Sequence, residues 1–165
     1  MLVYHPAFDI YNCAFRMLQL LNNIKQTEVE FDRIRIWDFY LTFPNEARRI
    51  KFPIDLLELK KVFKDKANNP YEDLIDPQRI IQRMKPYQSS ALKYLSAYGL
   101  IDSGLFLKNI IKRTDKELPK ELELKLVEIS IEKSNVIKLI TGFSDLSLWG
   151  IKERTGLIEY KYDRK

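Results

Sequence analysis

Residues 90–107 read Ser90-Ala91-Leu92-Lys93-Tyr94-Leu95-Ser96-Ala97-Tyr98-Gly99-Leu100-Ile101-Asp102-Ser103-Gly104-Leu105-Phe106-Leu107. Ala91, Leu92, Leu95 and Tyr98 recur at helical spacing, and Gly99 stands where a left-handed helix cap is needed. Leu100-Ile101 and Leu105-Phe106-Leu107 flank Asp102-Ser103-Gly104, which reads as strand, tight turn, strand. Upstream, Asp76-Pro77 offers an N-cap followed by proline at the first helical position, so a short helix is expected over Pro77 to Met84. Pro86 then breaks it, and a second helix covers about Tyr87 to Tyr98. Helix, break, helix, glycine, hairpin is the order of a winged helix-turn-helix. The expected class is mainly α (α+β): a winged helix-turn-helix-like domain with additional N- and C-terminal helices and a short β-hairpin wing.

Toward the N-terminus, Pro6 to about Ile24 reads as a helix. Its polar residues Asp9, Asn12, Arg16, Gln19 and Asn23 are spaced three and four apart and draw one narrow stripe. Apolar residues cover the rest of the circumference, so the helix is either central to the core or shared with a partner. Thr27 to Phe31 alternates and reads as a short strand or an extended lead-in. Asp32 is placed to cap a helix from Arg33 to about Thr42, rich in Ile34, Trp37, Phe39, Tyr40 and Leu41. A third helix is expected after Asn45, and Phe52 to Phe63 reads as a turn followed by an amphipathic helix. Residues 67–76 read as a connection.

Toward the C-terminus, residues 121–132 fit either alternation or a helix. Their Glu and Lys content favours one long helix to about Thr141, ended by Gly142. Ser144 or Asp145 then caps a last helix through Arg154, and a basic tail follows Gly156. One domain over 1–165 is expected, with N-terminal helices at 1–66, the helix-helix-wing at 76–115, and C-terminal helices and tail at 119–165.

The chain has 165 residues, 28 Lys and Arg against 23 Asp and Glu, and a net charge of +5. Its mild basic surplus permits affinity for nucleic acid without demanding it. With Cys13 the only cysteine, an internal disulfide is excluded. No apolar run approaches the ~20 residues that span a bilayer, and no signal-peptide pattern opens the chain, so the expected compartment is the cytoplasm.

The residues that carry chemistry are few. One His and one Cys do not make a zinc centre, and neither a calcium loop, a phosphate-binding glycine loop nor a nucleophile elbow is present. No metal or cofactor is expected. His5 and Cys13 lie eight residues apart, too far along a helix to meet as base and nucleophile. His5 reads as a hydrogen-bonding residue at the helix start, and Cys13 as a small buried hydrophobe. Asp9 and Arg16 share a face and suit either a polar network or a solvated stripe. For DNA, Gln88 and Lys93 are a poor set for base readout, while Lys108, Lys112 and Arg113 suffice for phosphate contacts.

Tyr4-His5-Pro6-Ala7-Phe8-Asp9, followed by Cys13-Ala14-Phe15-Arg16-Met17-Leu18, resembles the start of middle components of ABC-three-component systems, which include Lamassu-type bacterial antiphage systems. Phe31-Asp32-Arg33-Ile34-Arg35-Ile36-Trp37-Asp38-Phe39-Tyr40-Leu41-Thr42-Phe43-Pro44 is similar to the family's Asp-Phe-(Tyr)-Leu-x-x-Phe-Pro segment. The resemblance covers the first third and loosely the middle around Leu95 to Ile101; the last forty residues show nothing diagnostic. It implies a non-catalytic accessory subunit that links an SMC-like ABC ATPase to an effector, often a nuclease. The expected partner-binding residues are Tyr4, His5, Phe8, Asp9, Tyr11, Phe15, Arg16, Trp37, Asp38, Phe39 and Tyr40. DNA would be touched weakly and mainly through the complex. The alternative is a winged-helix transcription regulator that holds DNA through Gln88, Lys93, Lys108, Lys112 and Arg113.

Overall fold

The first α-helix starts after Asp9 rather than at Pro6 in a computed structural model that describes residues 5–64 and 76–165. Tyr4 and the connection expected over residues 67–75 lie outside the described residues. Pro6–Phe8 forms a single 3₁₀ turn, and the Asp9 carboxylate then accepts from Asn12 N–H at 2.9 Å to cap α1 (Ile10–Asn23). A two-residue strand, β1 (Val29–Glu30), leads directly into α2 (Phe31–Thr42). The helix therefore opens earlier than an Asp32 cap predicts. Glu30 occupies the cap position without a side-chain bond, and Asp32 lies in the first turn.

The helix expected after Asn45 is a 3₁₀ segment, Pro44–Arg49, and α3 (Leu57–Lys64) follows a 3₁₀ turn at Ile54–Leu56. Then comes α4 (Pro77–Ala97), continuous through Pro86. Pro86 and Gln82 are both exposed, so the backbone bond that the proline cannot make is lost on the solvent side of the helix rather than in the core. The two helices expected on either side of residue 86 are thus one.

The tight hairpin expected between residues 100–101 and 105–107 is replaced by a longer return. Asp102 accepts from Leu105 N–H at 2.8 Å and caps a helical turn, α5 (Ser103–Phe106), where a tight turn was expected. Ile101 instead makes an isolated antiparallel bridge with Arg113. The strand after α5, β2 (Ile110–Ile111), pairs antiparallel with β1, in the register Val29↔Ile111 and Glu30↔Ile110. The described architecture is mainly helical, with one two-stranded antiparallel sheet joining the first third of the chain to the middle.

The C-terminal stretch is helical, as its Glu and Lys content predicts, but as two helices: α6 (Lys120–Val127) and α7 (Ile131–Gly142). Ser130 accepts from Lys133 N–H at 3.2 Å and starts the second. Ser147, rather than Ser144 or Asp145, caps α8 (Leu148–Thr155). Gly156 ends α8 at φ 65°, a left-handed conformation that suits glycine.

A single hydrophobic cluster extends from Ala7 to Leu157 and contains Met17, Leu20, Ile34, Trp37, Phe39, Met84, Leu92 and Phe143. Trp37 meets Phe143 edge-on at 6.0 Å, and Phe143 meets Phe52 at 5.6 Å, so aromatic contacts tie α2 to the C-terminal helices. α1 packs against α4, α2, α6 and α7.

Candidate functional site

One flank of α1 is left uncovered. Tyr11, Ala14, Phe15 and Leu18 lie on one face of this helix, and Tyr94, Leu95 and Tyr98 on the facing edge of α4. Leu100 and the segment from Lys116 to Pro119, with Leu122 of α6, form the opposite wall. Together they enclose an open groove of about 730 Å³. Tyr11 is 72% exposed and Tyr98 54% exposed. Tyr11 meets Tyr94 edge-on at 5.9 Å, and Tyr94 and Tyr98 lie 4.6 Å apart. A hydrogen bond with Tyr98 raises the Tyr94 phenol above its ordinary pKa. An apolar floor lined with tyrosines suits the docking of another protein, since each ring offers a large rigid contact area and a polar tip.

Of the residues expected to bind a partner, Tyr11 and Phe15 line this groove. Phe8 is half-buried against Tyr87, with the Arg83 guanidinium 5.2 Å from its ring. His5 stacks on Phe43 at 5.3 Å, and its Nδ1 accepts from Ala7 N–H at 3.0 Å. Trp37, Asp38, Phe39 and Tyr40 are enclosed, none more than 2% exposed, so they cannot form a contact surface and can only support one from beneath. Tyr98, expected with Ala91, Leu92 and Leu95 on the buried face of its helix, is instead exposed on the groove, and Tyr94, Leu118 and Leu122 join it without having been expected at a site. The spacing of Tyr94 and Tyr98, four apart on a helix, was the available signal.

The middle of the polar stripe of α1 is turned inward, while Asn12 stays exposed. Arg16 and Gln19 are buried, and Arg16 Nε donates to Asp38 Oδ1 at 2.6 Å while its Nη1 donates to the Pro6 carbonyl at 3.0 Å. Asp38 Oδ2 also accepts from Gln88 Nε2 at 2.9 Å and, more weakly, from Cys13 Sγ at 3.7 Å. Gln88 Oε1 accepts from Arg35 Nε at 3.0 Å, and Arg35 Nη1 donates to Asp32 at 3.0 Å. Asp32 pairs with Lys152 of α8 at 2.9 Å, and Lys152 pairs with Asp163 of the tail at 2.6 Å. This chain of bonds runs from α1 through α2 to α4, α8 and the tail. Every charge along it is matched, as buried charges require.

Cys13 and His5 are not arranged as nucleophile and base. Burial, reinforced by the Asp38 charge, pushes the Cys13 thiol far up, so it carries no thiolate to attack with. Burial and the Arg16 charge lower the His5 pKa, and its Nδ1 is occupied by the Ala7 amide. Among the described residues no group of His, Cys, Asp and Glu can hold a metal ion, and no described helix is long and apolar enough to cross a membrane.

The residues expected to touch DNA are dispersed. Gln88 is wholly buried and bonded to Asp38 and Arg35, so it reads no base. Arg113 is half-buried and donates to the carbonyls of Leu100, Thr114 and Lys116, which spends its fork on the chain itself. Lys93, Lys108 and Lys112 are exposed.

No curated protein and no solved structure matches the chain. A family model described as ABC-three component (ABC-3C) system Middle Component 5 matches residues 2–163, nearly the whole length, and the chain therefore belongs to this family of middle components.

Proposed function

We propose that the chain is a non-catalytic adaptor of an antiphage ABC-three-component system of the Lamassu kind, linking an SMC-like ABC ATPase to an effector such as a nuclease. A middle component implies companion subunits, and an adaptor needs a face to meet them. The observation that carries this reading is the groove between α1 and α4, which the chain's own residues leave open to solvent. Its opening is apolar and ringed by Tyr11, Tyr94 and Tyr98, the composition of a protein-binding patch. The inward turn of Arg16 and Asp38 and the suppressed thiol of Cys13 are consistent with a role without catalysis. Sequence-specific DNA readout by a regulator has less support, because Gln88 is committed to the core.

Co-purification of the tagged chain with the products of its neighbouring genes tests the reading. An ATPase and an effector should come down with the wild type, and Tyr11→Asp with Leu122→Glu should release at least one of them while the variant stays folded by circular dichroism. Unchanged capture by that double variant would remove the groove from the interface. Absence of both partners from the wild-type capture would end the adaptor reading.

A further inference from the structure

We infer that the outward face of α4 is a sequence-independent binding surface for the phosphate backbone of duplex DNA, separate from the apolar groove and from the segment once expected to form a wing. Between Asp76 and Asp102 the chain contains no acidic residue, while Arg79, Arg83, Lys85 and Lys93 are all basic and all exposed. Such an acid-free stretch is unusual in a chain whose charges are otherwise well mixed, with 23 Asp and Glu against 28 Lys and Arg. At 100° per residue, Arg79, Arg83 and Lys93 fall within one arc of about 80° on the helix, so they project to the same side.

The continuity of α4 through Pro86 turns this arc into a rigid bar. Its 21 residues span about 31 Å, and Arg79 and Lys93 stand about 21 Å apart along it. That separation matches about six base-pair steps at 3.4 Å each, so cations at both ends reach phosphates of one duplex. At the N-terminal end, Gln78 and Gln82 border a polar hollow that Arg49, Lys51 and Arg154 also line. Glu153 and Glu159 share the hollow and offset part of its charge, so the bar itself carries the argument.

Two further features select a duplex backbone over other polyanions. Phe8, the aromatic ring beneath the arc, is half-buried and covered by the Arg83 guanidinium, and Tyr94 and Tyr98 at the arc's edge line the groove, so the arc offers no open ring on which a single-stranded base would stack. The acidic stretch 117–132, with five Glu against two Lys, sits on α6 and the start of α7, which pack against α1. Like-charge repulsion there favours a duplex approaching from the α4 side. With Gln88 inside, the face has little to read bases with, so binding rests on phosphate contacts and falls with salt.

The test uses the full chain and a fluorescein-labelled duplex of about 20 base pairs, followed by anisotropy from 50 to 200 mM salt. Unrelated sequences should bind alike, with affinity falling steeply as salt rises. Arg79→Gln, Arg83→Gln and Lys93→Gln together should weaken binding at least about tenfold and flatten the slope of log K against log salt by about 2–3, near 0.9 per lost phosphate contact. Arg79→Gln with Lys93→Gln, which keeps the Arg83–Phe8 contact, guards against misfolding and should give an intermediate loss. Lys108→Gln with Lys112→Gln should leave binding unchanged. The inference is overturned by no binding at 50 mM salt, by equal loss from the Lys108 and Lys112 variant, or by tighter binding to phosphatidylserine vesicles than to DNA.

Discussion

Arg16 and Asp38 meet at 2.6 Å with side chains 5% and 0% exposed, and this pair holds α1 against α2 at the centre of the molecule. The Asp38 carboxylate lies in the charge's natural position for Arg16, and the remaining donors around it, Gln88 and Cys13, complete its acceptor capacity. Asp38→Ala would leave the guanidinium buried without its counter-charge. Such a loss costs about 3–5 kcal/mol. Urea denaturation should show the midpoint falling accordingly, and Arg16→Met with Asp38→Leu should recover much of the loss, since an apolar pair needs no matched charge.

The Lys152 clamp should set both pH edges of stability. Burial works against the Lys152 ammonium, yet its hydrogen bonds to Asp163 and Asp32 prevail and raise its pKa. Its contribution is therefore complete below the ordinary lysine value near 10.5 and is lost as pH rises past it. Burial likewise opposes the Asp32 charge, but hydrogen bonds from Lys152 and Arg35 prevail and lower that pKa. This contribution is complete above the ordinary value near 3.8 and is lost as pH falls below it. The difference in urea midpoint between the wild type and Lys152→Met should be greatest near neutrality and shrink at both extremes. A difference constant from acid to alkali would refute the clamp.

Two aromatic truncations separate surface from core. Tyr11→Ala removes an exposed ring and should change stability by less than about 0.5 kcal/mol. Trp37→Ala opens a cavity at a residue 1% exposed and should cost about 3–5 kcal/mol. Thermal unfolding of the two variants checks both. If Tyr11→Ala destabilises as much as Trp37→Ala, the groove is part of the core.

Pro86→Ala should stabilise the chain by roughly 1–3 kcal/mol, because it returns an N–H to the Gln82 carbonyl and removes a ring from a helix interior. Chemical denaturation measures it. A decrease would mean that the proline ring itself contributes to packing.

That same proline shows where sequence reading fails. A proline in a helical pattern is a local signal for a break, and the break is overridden here because Met84 and Gln88 on either side are both drawn into the core. Asp102-Ser103-Gly104 was misread for the opposite reason: Asp can open a turn or cap a helix, and only the pairing of Ile110 with Glu30, eighty residues away, decides which. What is local was legible. Asp76 as a cap and a short strand or extended lead-in before α2 both follow from short-range chemistry. The inward turn of Arg16 was not, since its partners Asp38 and Gln88 stand in distant segments and a stripe of polar residues ordinarily faces water. Of the groove's lining, Tyr11 and Phe15 stand out in the sequence because they crowd α1 with apolar surface. The opposite wall was missed because Lys116 to Leu122 acquires meaning only beside α1.

The β1–β2 ladder also dictates when the molecule can become itself. Val29 waits for Ile111, Gln26 reaches the Ser144 carbonyl, and Arg33 reaches that of Leu146. On the ribosome, the opening helices emerge long before the residues that complete them, and loop closure over such separations is slow. α1 likewise waits for α4, so its apolar surface stays uncovered until residues 77–97 have emerged, a window in which an uncovered helix is prone to association.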